Sequence, residues 1–300
     1  MYYLVFGLLY IASLLPFRVL YVISDVLAFF LYHIIGYRRQ VVLENIAGSF
    51  PDLSTREHIK IAKRFYRNFC DNWVETIKLL SISAEGLKRR AQFDVSKVQH
   101  LLVPERSIIE VAGHQFNFEV LSIALGMVLP FPQVTVYMPL SSKLMDRLFM
   151  YIRARFGTRL VSATNMSAEY TAWRNKPHGL GLAADQSPGH PEGAYWMWFL
   201  NRPTAFVRGP ERMGRATNTA VVYITFSKPR RGYYTFQMEP LHESPRQSDT
   251  GDITRLFVRK LEAVVKNDPA LYMWSHKRWK HDWKREYSRH WIDDREMPAG

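Results

Sequence analysis

His114 and Glu119 lie five positions apart in the segment Gly113-His114-Gln115-Phe116-Asn117-Phe118-Glu119, where an apolar run gives way to a helical pattern. A histidine at a strand exit with a carboxylate in reach is a way to build a general base. The carboxylate fixes the imidazole tautomer and stabilises the imidazolium that forms on proton abstraction. Gly113 permits a tight turn or a close backbone approach, and Asn117 suits the N-cap of the helix that follows. His114 then sits near a helix N-terminus, whose dipole favours the neutral ring that a base must be. Glu119, in the first turn, is expected to reach back to the ring N–H. The spacing alone also fits a loop histidine and a glutamate that merely complements the helix dipole. Two other segments add to the case. Arg153 and Arg155, in Tyr151–Gly157, end a helix and suit an anionic headgroup or phosphate. Asp185 and Gln186 leave a buried-looking strand for the loop Ser187-Pro188-Gly189; a carboxylate there often orients an arginine or a backbone turn.

The elements that would position these residues alternate. Strands are expected at Ser107–Ala112, Gln133–Met138, Thr158–Ser162, Leu180–Ala184, Ala220–Phe226 and Tyr233–Met238. Helices are expected at Asn117–Val128, Ser142–Phe156, Met166–Asn175 and Asp252–Lys266. Such alternation predicts an α/β fold, a mixed sheet flanked by helices, with sites at the carboxyl ends of strands. Upstream, Ser54 and Glu57 have capping-box spacing, and Ile61, Phe65, Phe69, Trp73 and Ile77 recur along one helical face. That helix fits a membrane surface or a cover over the core.

The N-terminus is apolar from Tyr2 to Phe17 and again from Val19 to Ile35, with Asp25 and His33 as ionisable interruptions. Pro16-Phe17-Arg18 predicts a kink. The uninterrupted run is shorter than the roughly 20 residues a spanning helix needs, so a tilted span, a hairpin dipping into one leaflet or an interfacial anchor all fit. We expect a membrane anchor over 1–36 and a catalytic domain over 37–300. Arg38 and Arg39 place that domain on the cytoplasmic side by the positive-inside tendency. The 300 residues carry a formal charge of +13, which favours an anionic partner. The single cysteine, Cys70, excludes an internal disulfide framework and reads as a packing residue. The histidines show no zinc-like spacing.

In order along the chain stand an apolar anchor, Arg38-Arg39, Asn45, Phe50-Pro51, His114-x4-Glu119, Arg153-x-Arg155-Phe156-Gly157, Ala184-Asp185-Gln186 and Tyr272-Met273-Trp274-Ser275-His276-Lys277-Arg278-Trp279-Lys280. With these blocks the chain resembles the late acyltransferases of lipid A biosynthesis, the lauroyl/myristoyl branch of the lysophospholipid acyltransferase superfamily. The resemblance implies a membrane-associated enzyme in which His114 is the general base and Glu119 orients it. Arg153 and Arg155 would bind an anionic group, with Asp185 as a structural partner and Gln186 beside it. The donor would be an acyl thioester of acyl carrier protein or coenzyme A. The acceptor would be the hydroxyl of a lipid with an anionic headgroup, foremost a secondary acylation of lipid A at the bacterial inner membrane. Acylation of a lysophospholipid or aminolipid is the alternative. No cofactor or metal is called for. The loop Pro188–Gly193 and the run Trp196-Met197-Trp198-Phe199 depart from the pattern and are expected to bear on acceptor or acyl selection. Trp274, Trp279 and Trp283, interleaved with basic residues, suit a membrane interface. Arg202, Arg208, Arg212 and Arg215 form a second basic segment, facing a partner or plain surface.

Three other classes compete. A nucleic-acid binder explains the charge but neither the apolar N-terminus nor the His–Glu spacing. A thioesterase would use the same pair with water as acceptor. A membrane scaffold would not need His114 at all.

Overall fold

Pro16 separates two apolar helices, as a residue that restricts the backbone before it and lacks an N–H must. In the computed structural model, which describes residues 1–299, α1 (Tyr2–Leu14) meets α2 (Phe17–Phe29) there, and α2 continues through a π-helical stretch, Phe30–Ile35, to a left-handed Gly36. Gly300, the last residue of the expected 37–300 domain, lies outside the described residues. The continuous helix Phe17–Ile35 is long and apolar enough to cross a membrane. One of its faces is nevertheless committed to the protein. Tyr21 donates to Glu75 Oε1 (3.0 Å), Ser24 donates to Asp71 Oδ1 (2.7 Å), and Asp25 pairs with both Arg67 and Arg231. Val19, Val22, Val26, Phe29 and Phe30 are left exposed.

Helix α3 (Arg39–Ser49) leads to α4 (Thr55–Lys78), which opens with the expected reciprocal capping box between Ser54 and Glu57. Phe65, Tyr66, Cys70 and Val74 of α4 are buried. Helices α1, α2 and α3 pack against it, so α4 is a cover helix with the apolar hairpin outside it. After α5 (Ala84–Lys88) come β1 (Ala91–Asp94), β2 (Ile108–Ala112), α6 (Phe118–Leu125), β3 (Gln133–Tyr137), α7 (Lys143–Ala154), β4 (Arg159–Ser162), α8 (Met166–Glu169) and β5 (Gly179–Ala183). They are followed by β6 (Tyr195–Phe199), β7 (Arg202–Phe206), α9 (Gly209–Thr217), β8 (Ala220–Arg230), β9 (Tyr233–His242) and α10 (Asp252–Asn267).

Seven strands form one mixed sheet in the order β1-β9-β8-β2-β5-β3-β4, in which β8 and β9 are antiparallel and the other pairs parallel. Ile109, Val111, Leu180 and Tyr223 join Phe257, Val258 and Leu261 of α10 in the core on one face. Ile108, Val222 and Ile224 join Val120, Leu121 and Leu125 of α6 on the other. The alternation is that of strands buried on both faces.

Three features depart from the sequence-based expectation. Strand β1 is a four-residue edge strand paired to β9, too short for a periodicity to show. The aromatic run Trp196–Phe199 is a strand, paired antiparallel with β7 in a separate two-stranded sheet. Trp196, Met197 and Phe199 are fully buried. Trp196 stacks on Tyr287 and meets Trp283 edge to face. This run fills a core and does not line a substrate pocket. Trp274 is likewise buried, its indole N–H donating to Pro269 O at 2.6 Å, so it does not serve a membrane interface.

Candidate active site

The register between β2 and β5 sets the centre of the site. Ala112 pairs with Ala183, so His114 and Asp185, each two residues further on, leave the sheet side by side. Gly113 permits this approach: a Cβ there would lie 2.5 Å from Leu261 Cδ1 and 3.5 Å from Asp185 Oδ2. Asp185 then accepts twice from one residue. Oδ2 accepts from the His114 backbone N–H at 2.9 Å and Oδ1 from ring Nδ1 at 2.6 Å. The ring tautomer is thereby fixed with Nε2 left to act. Gly113→Ala is expected to push the His114 turn off this geometry and lower kcat at least tenfold with little change in KM; misplaced catalytic groups lose rate steeply. Steady-state kinetics of the variant checks this.

Burial alone would lower the imidazole pKa, but the charge and hydrogen bond of Asp185 outweigh it and raise the pKa above its ordinary value. Asp185 is pulled the same way from its side. Burial raises its pKa, and His114, with help from the Arg278 guanidinium, brings it below the usual carboxylate range. The pair is thus a basic imidazole on an ionised, buried carboxylate. The expected effect of the helix dipole is overridden by this partner.

Glu119 does not make the contact expected of it. It is buried in the first turn of α6, where Asn117 caps the helix by accepting from Glu119 N (3.0 Å) and Val120 N (3.1 Å). Its carboxylate takes a bidentate pair from Arg153, Nε to Oε2 at 2.8 Å and Nη2 to Oε1 at 2.5 Å. The helix carries Glu119 toward α7, and the fork geometry of a guanidinium holds it there. Its charge still adds to the rise in the His114 pKa.

His114, Glu119 and Arg153 line a pocket of about 460 Å³ between the sheet and α6. Ala112, Gly181, Ala183, Leu121, Leu125 and Ile224 make much of its wall apolar. Trp73 and Met138, both exposed, stand where it opens. A histidine–carboxylate pair beside a largely apolar pocket suits chemistry on a hydrophobic substrate. A family model described as bacterial lipid A biosynthesis acyltransferase matches residues 1–281. The chain belongs to that family. The acyltransferase is also 22% identical over 276 residues to the lipid A biosynthesis lauroyltransferase of Escherichia coli (strain K12), covering 91% of this chain and 89% of that one.

The remaining expected residues divide. Gln186 lines the pocket. Arg155 of the acyltransferase does not: its guanidinium donates to Leu79 O and Ile82 O, at and just beyond the C-terminal end of α4. Those unpaired helix-end carbonyls take up its donors, which removes it as an anion binder in this arrangement. The loop His190 and Glu192 pair with each other on the surface. Arg202 donates to Glu44 O (2.9 Å) and Arg215 to Thr250 Oγ1 (2.6 Å), so these two are spent within the chain.

Sequence reasoning gave the C-terminal block no part in the site, yet it frames it. Phe116 N donates to Leu271 O at 3.0 Å, just before that block, and Gln115 bridges to Tyr272 within it, tying the His114 loop to it. Arg278 is buried and donates to Ala205 O at 2.7 Å. His276 lines the pocket, accepts from Ser187 N at 3.2 Å, and is held neutral, its pKa lowered to about 4 by burial and by Arg278. Arg38 and Asn45 explain their own presence here: Arg38 donates to Ser275 O, and Asn45 to Trp274 O and His276 O.

Proposed function

We propose that the acyltransferase moves a fatty acyl chain from an acyl thioester to a hydroxyl of a lipid A precursor, with His114 as base and Asp185 as the group that orients and charge-stabilises it. The acceptor hydroxyl gives its proton to His114 Nε2 while its oxygen attacks the thioester carbonyl. Collapse of the tetrahedral intermediate breaks the carbon–sulfur bond, and the leaving thiolate takes the proton back from the imidazolium. Arg153, positioned by Glu119 and with Nη1 not engaged by it, supplies positive charge beside the reacting centre, for the oxyanion or for the acceptor's anionic headgroup. The observation that carries this reading is the 2.6 Å bond from ring Nδ1 to the buried Asp185, behind a His114 that lines a largely apolar pocket.

Acyl carrier protein is the favoured donor, with coenzyme A second. The exposed Lys277, Lys280, Lys284 and Arg285 suit an acidic carrier or an anionic surface. The exposed apolar side of α1 and α2 supports docking on the cytoplasmic face of the inner membrane. Because Tyr21, Ser24 and Asp25 are bonded to the catalytic domain, we place the hairpin flat in the interface and not across the bilayer.

Mass spectrometry of products tests the assignment. Purified protein in detergent, given dodecanoyl acyl carrier protein and a lipid A precursor with free secondary hydroxyls, should form the singly extended acceptor. Transfer to a lysophospholipid in preference would select the alternative acceptor. Fatty acid release at an equal rate without acceptor would make the protein a thioesterase and overturn the proposal.

A further inference from the structure

The inner end of the pocket is polar. Three rows of the sheet run inward from His114. The first holds Ala112 and Ala183, the second Glu110, Gly181 and Thr135, and the third Ile108, Gly179 and Gln133. The small residues of the first two rows leave a groove. Glu110 and Gln133 end it, both 1% exposed. They bend over glycines: a Cβ on Gly179 would lie 2.7 Å from both Glu110 Oε1 and Gln133 Oε1, and one on Gly181 would lie 3.0 Å from Gln133 Nε2.

Gln133 Nε2 donates to Glu110 Oε2 at 2.7 Å. Glu110 Oε1 and Gln133 Oε1 have no partner when the carboxyl is taken as ionised, an expensive pair of vacancies at such depth. Both oxygens lie 2.7 Å from the place a Cβ on Gly179 would take, and a proton on Glu110 would remove the charge from this one-bonded, buried carboxyl. Burial raises the Glu110 pKa to about 8, against the opposing bond from Gln133, so the carboxyl is mostly neutral at pH 7. A carboxylic acid and an amide, joined by the 2.7 Å bond, then form a neutral plug.

We propose that the Glu110–Gln133 plug is the wall that sets acyl-chain length, and that it selects donors of medium length. This rests on the reading of the pocket as the acyl site. Glu110 is four residues from His114, about 13 Å along an extended chain at ~3.3 Å per residue. An extended alkyl chain advances about 1.2 Å per bond, as extended backbone does. The space from the base to the plug therefore takes roughly 10–12 carbons. Further methylenes would have to displace a hydrogen-bonded pair whose polar atoms they cannot satisfy.

The test is a donor series from octanoyl to hexadecanoyl acyl carrier protein with the intact protein, reading kcat/KM for each. Wild type should peak at 10–12 carbons. Glu110→Gln keeps an amide–amide plug and should keep the peak. Glu110→Ala removes about three bonds' worth of wall and should move the peak about two to four carbons longer. Ala112→Leu fills the first row and should move it to shorter donors, which keeps the proposal exposed if Glu110→Ala fails to fold. Retained transfer with an unmoved peak in Glu110→Ala overturns the wall but leaves the acyl site intact, whereas retained transfer with an unmoved peak in Ala112→Leu overturns the groove as the acyl site and the wall with it. No transfer by wild type from any donor overturns the underlying reading instead.

Discussion

Asp185→Asn is expected to lower kcat about 10²–10⁴-fold, the range a positioned general base supplies, while leaving the protein folded. Asp185 accepts from two donors of His114, the backbone N–H and ring Nδ1. Asparagine has one side-chain oxygen and two amide hydrogens, so it can satisfy one of these donors and must face the other with an N–H. Either the turn or the tautomer is lost. The pH profile separates this from a structural defect. The base works as the neutral ring, so activity falls as pH falls through the imidazole pKa. In the wild type that pKa is raised, because Asp185 outweighs the effect of burial. The acid limb therefore lies above the ordinary imidazole value of about 6.5. In Asp185→Asn the charge is gone and the burial stays, so the limb should move to lower pH. His114→Ala should lose activity in the same range and lose the limb altogether. Near-normal kcat in either variant, or an unmoved limb in Asp185→Asn, would refute the assigned base.

Arg231→Ala carries the largest expected cost in stability. Arg231 pairs with Asp71, which is 2% exposed, at 2.6 Å, and reaches Asp25 of α2 at 2.8 Å. Removing one partner of a buried ion pair costs about 3–5 kcal/mol, because the other charge is left without compensation. Lys228, 3.2 Å from Asp71, holds part of that charge, which puts the expectation near the lower end, about 3 kcal/mol. Thermal or denaturant unfolding in detergent measures it. The same variant should make the linker around Pro16 and Gly36 more open to protease, since α2 loses its strongest tie to the β8–β9 hairpin. A stability within about 1 kcal/mol of wild type would show that the ion pair does not hold the helix.

Local signals in the sequence were legible where local physics decides. Ser54 and Glu57 lie three apart and form the box that spacing predicts, and Pro16 breaks the helix where a proline should. His114 and Asp185 could each be placed at a strand exit from the apolar runs before them. Their bond could not be read, because it depends on β2 lying next to β5 in one register, a non-local fact with no periodicity of its own. Glu119 was expected to make the contact with the His114 ring that Asp185 makes, for the same reason. It is near His114 in sequence, but the helix turns it toward Arg153. The tryptophans mislead through chemistry. An indole suits a membrane interface, a substrate wall and a core equally; Trp196, expected to bear on acceptor or acyl selection, and Trp274, expected at a membrane interface, both went to the core. Glu110 is hidden in an apolar strand pattern as a single interruption; what makes it informative is the pair of glycines beside it, in another strand.

The tie between α2 and the β8–β9 hairpin also fixes an order of assembly. Asp25 and Arg231 are 206 residues apart. At about 5–20 residues per second of synthesis, roughly 10–40 s pass between the making of the two. Through that interval the first two helices exist with no Asp71–Arg231 pair to receive Ser24 and Asp25, and with Asp185 unmade for most of it. If the apolar segment settles as it is made, it does so before the rest of the chain is there to guide it. The tie through Arg231 can close only after about three quarters of the chain has been made.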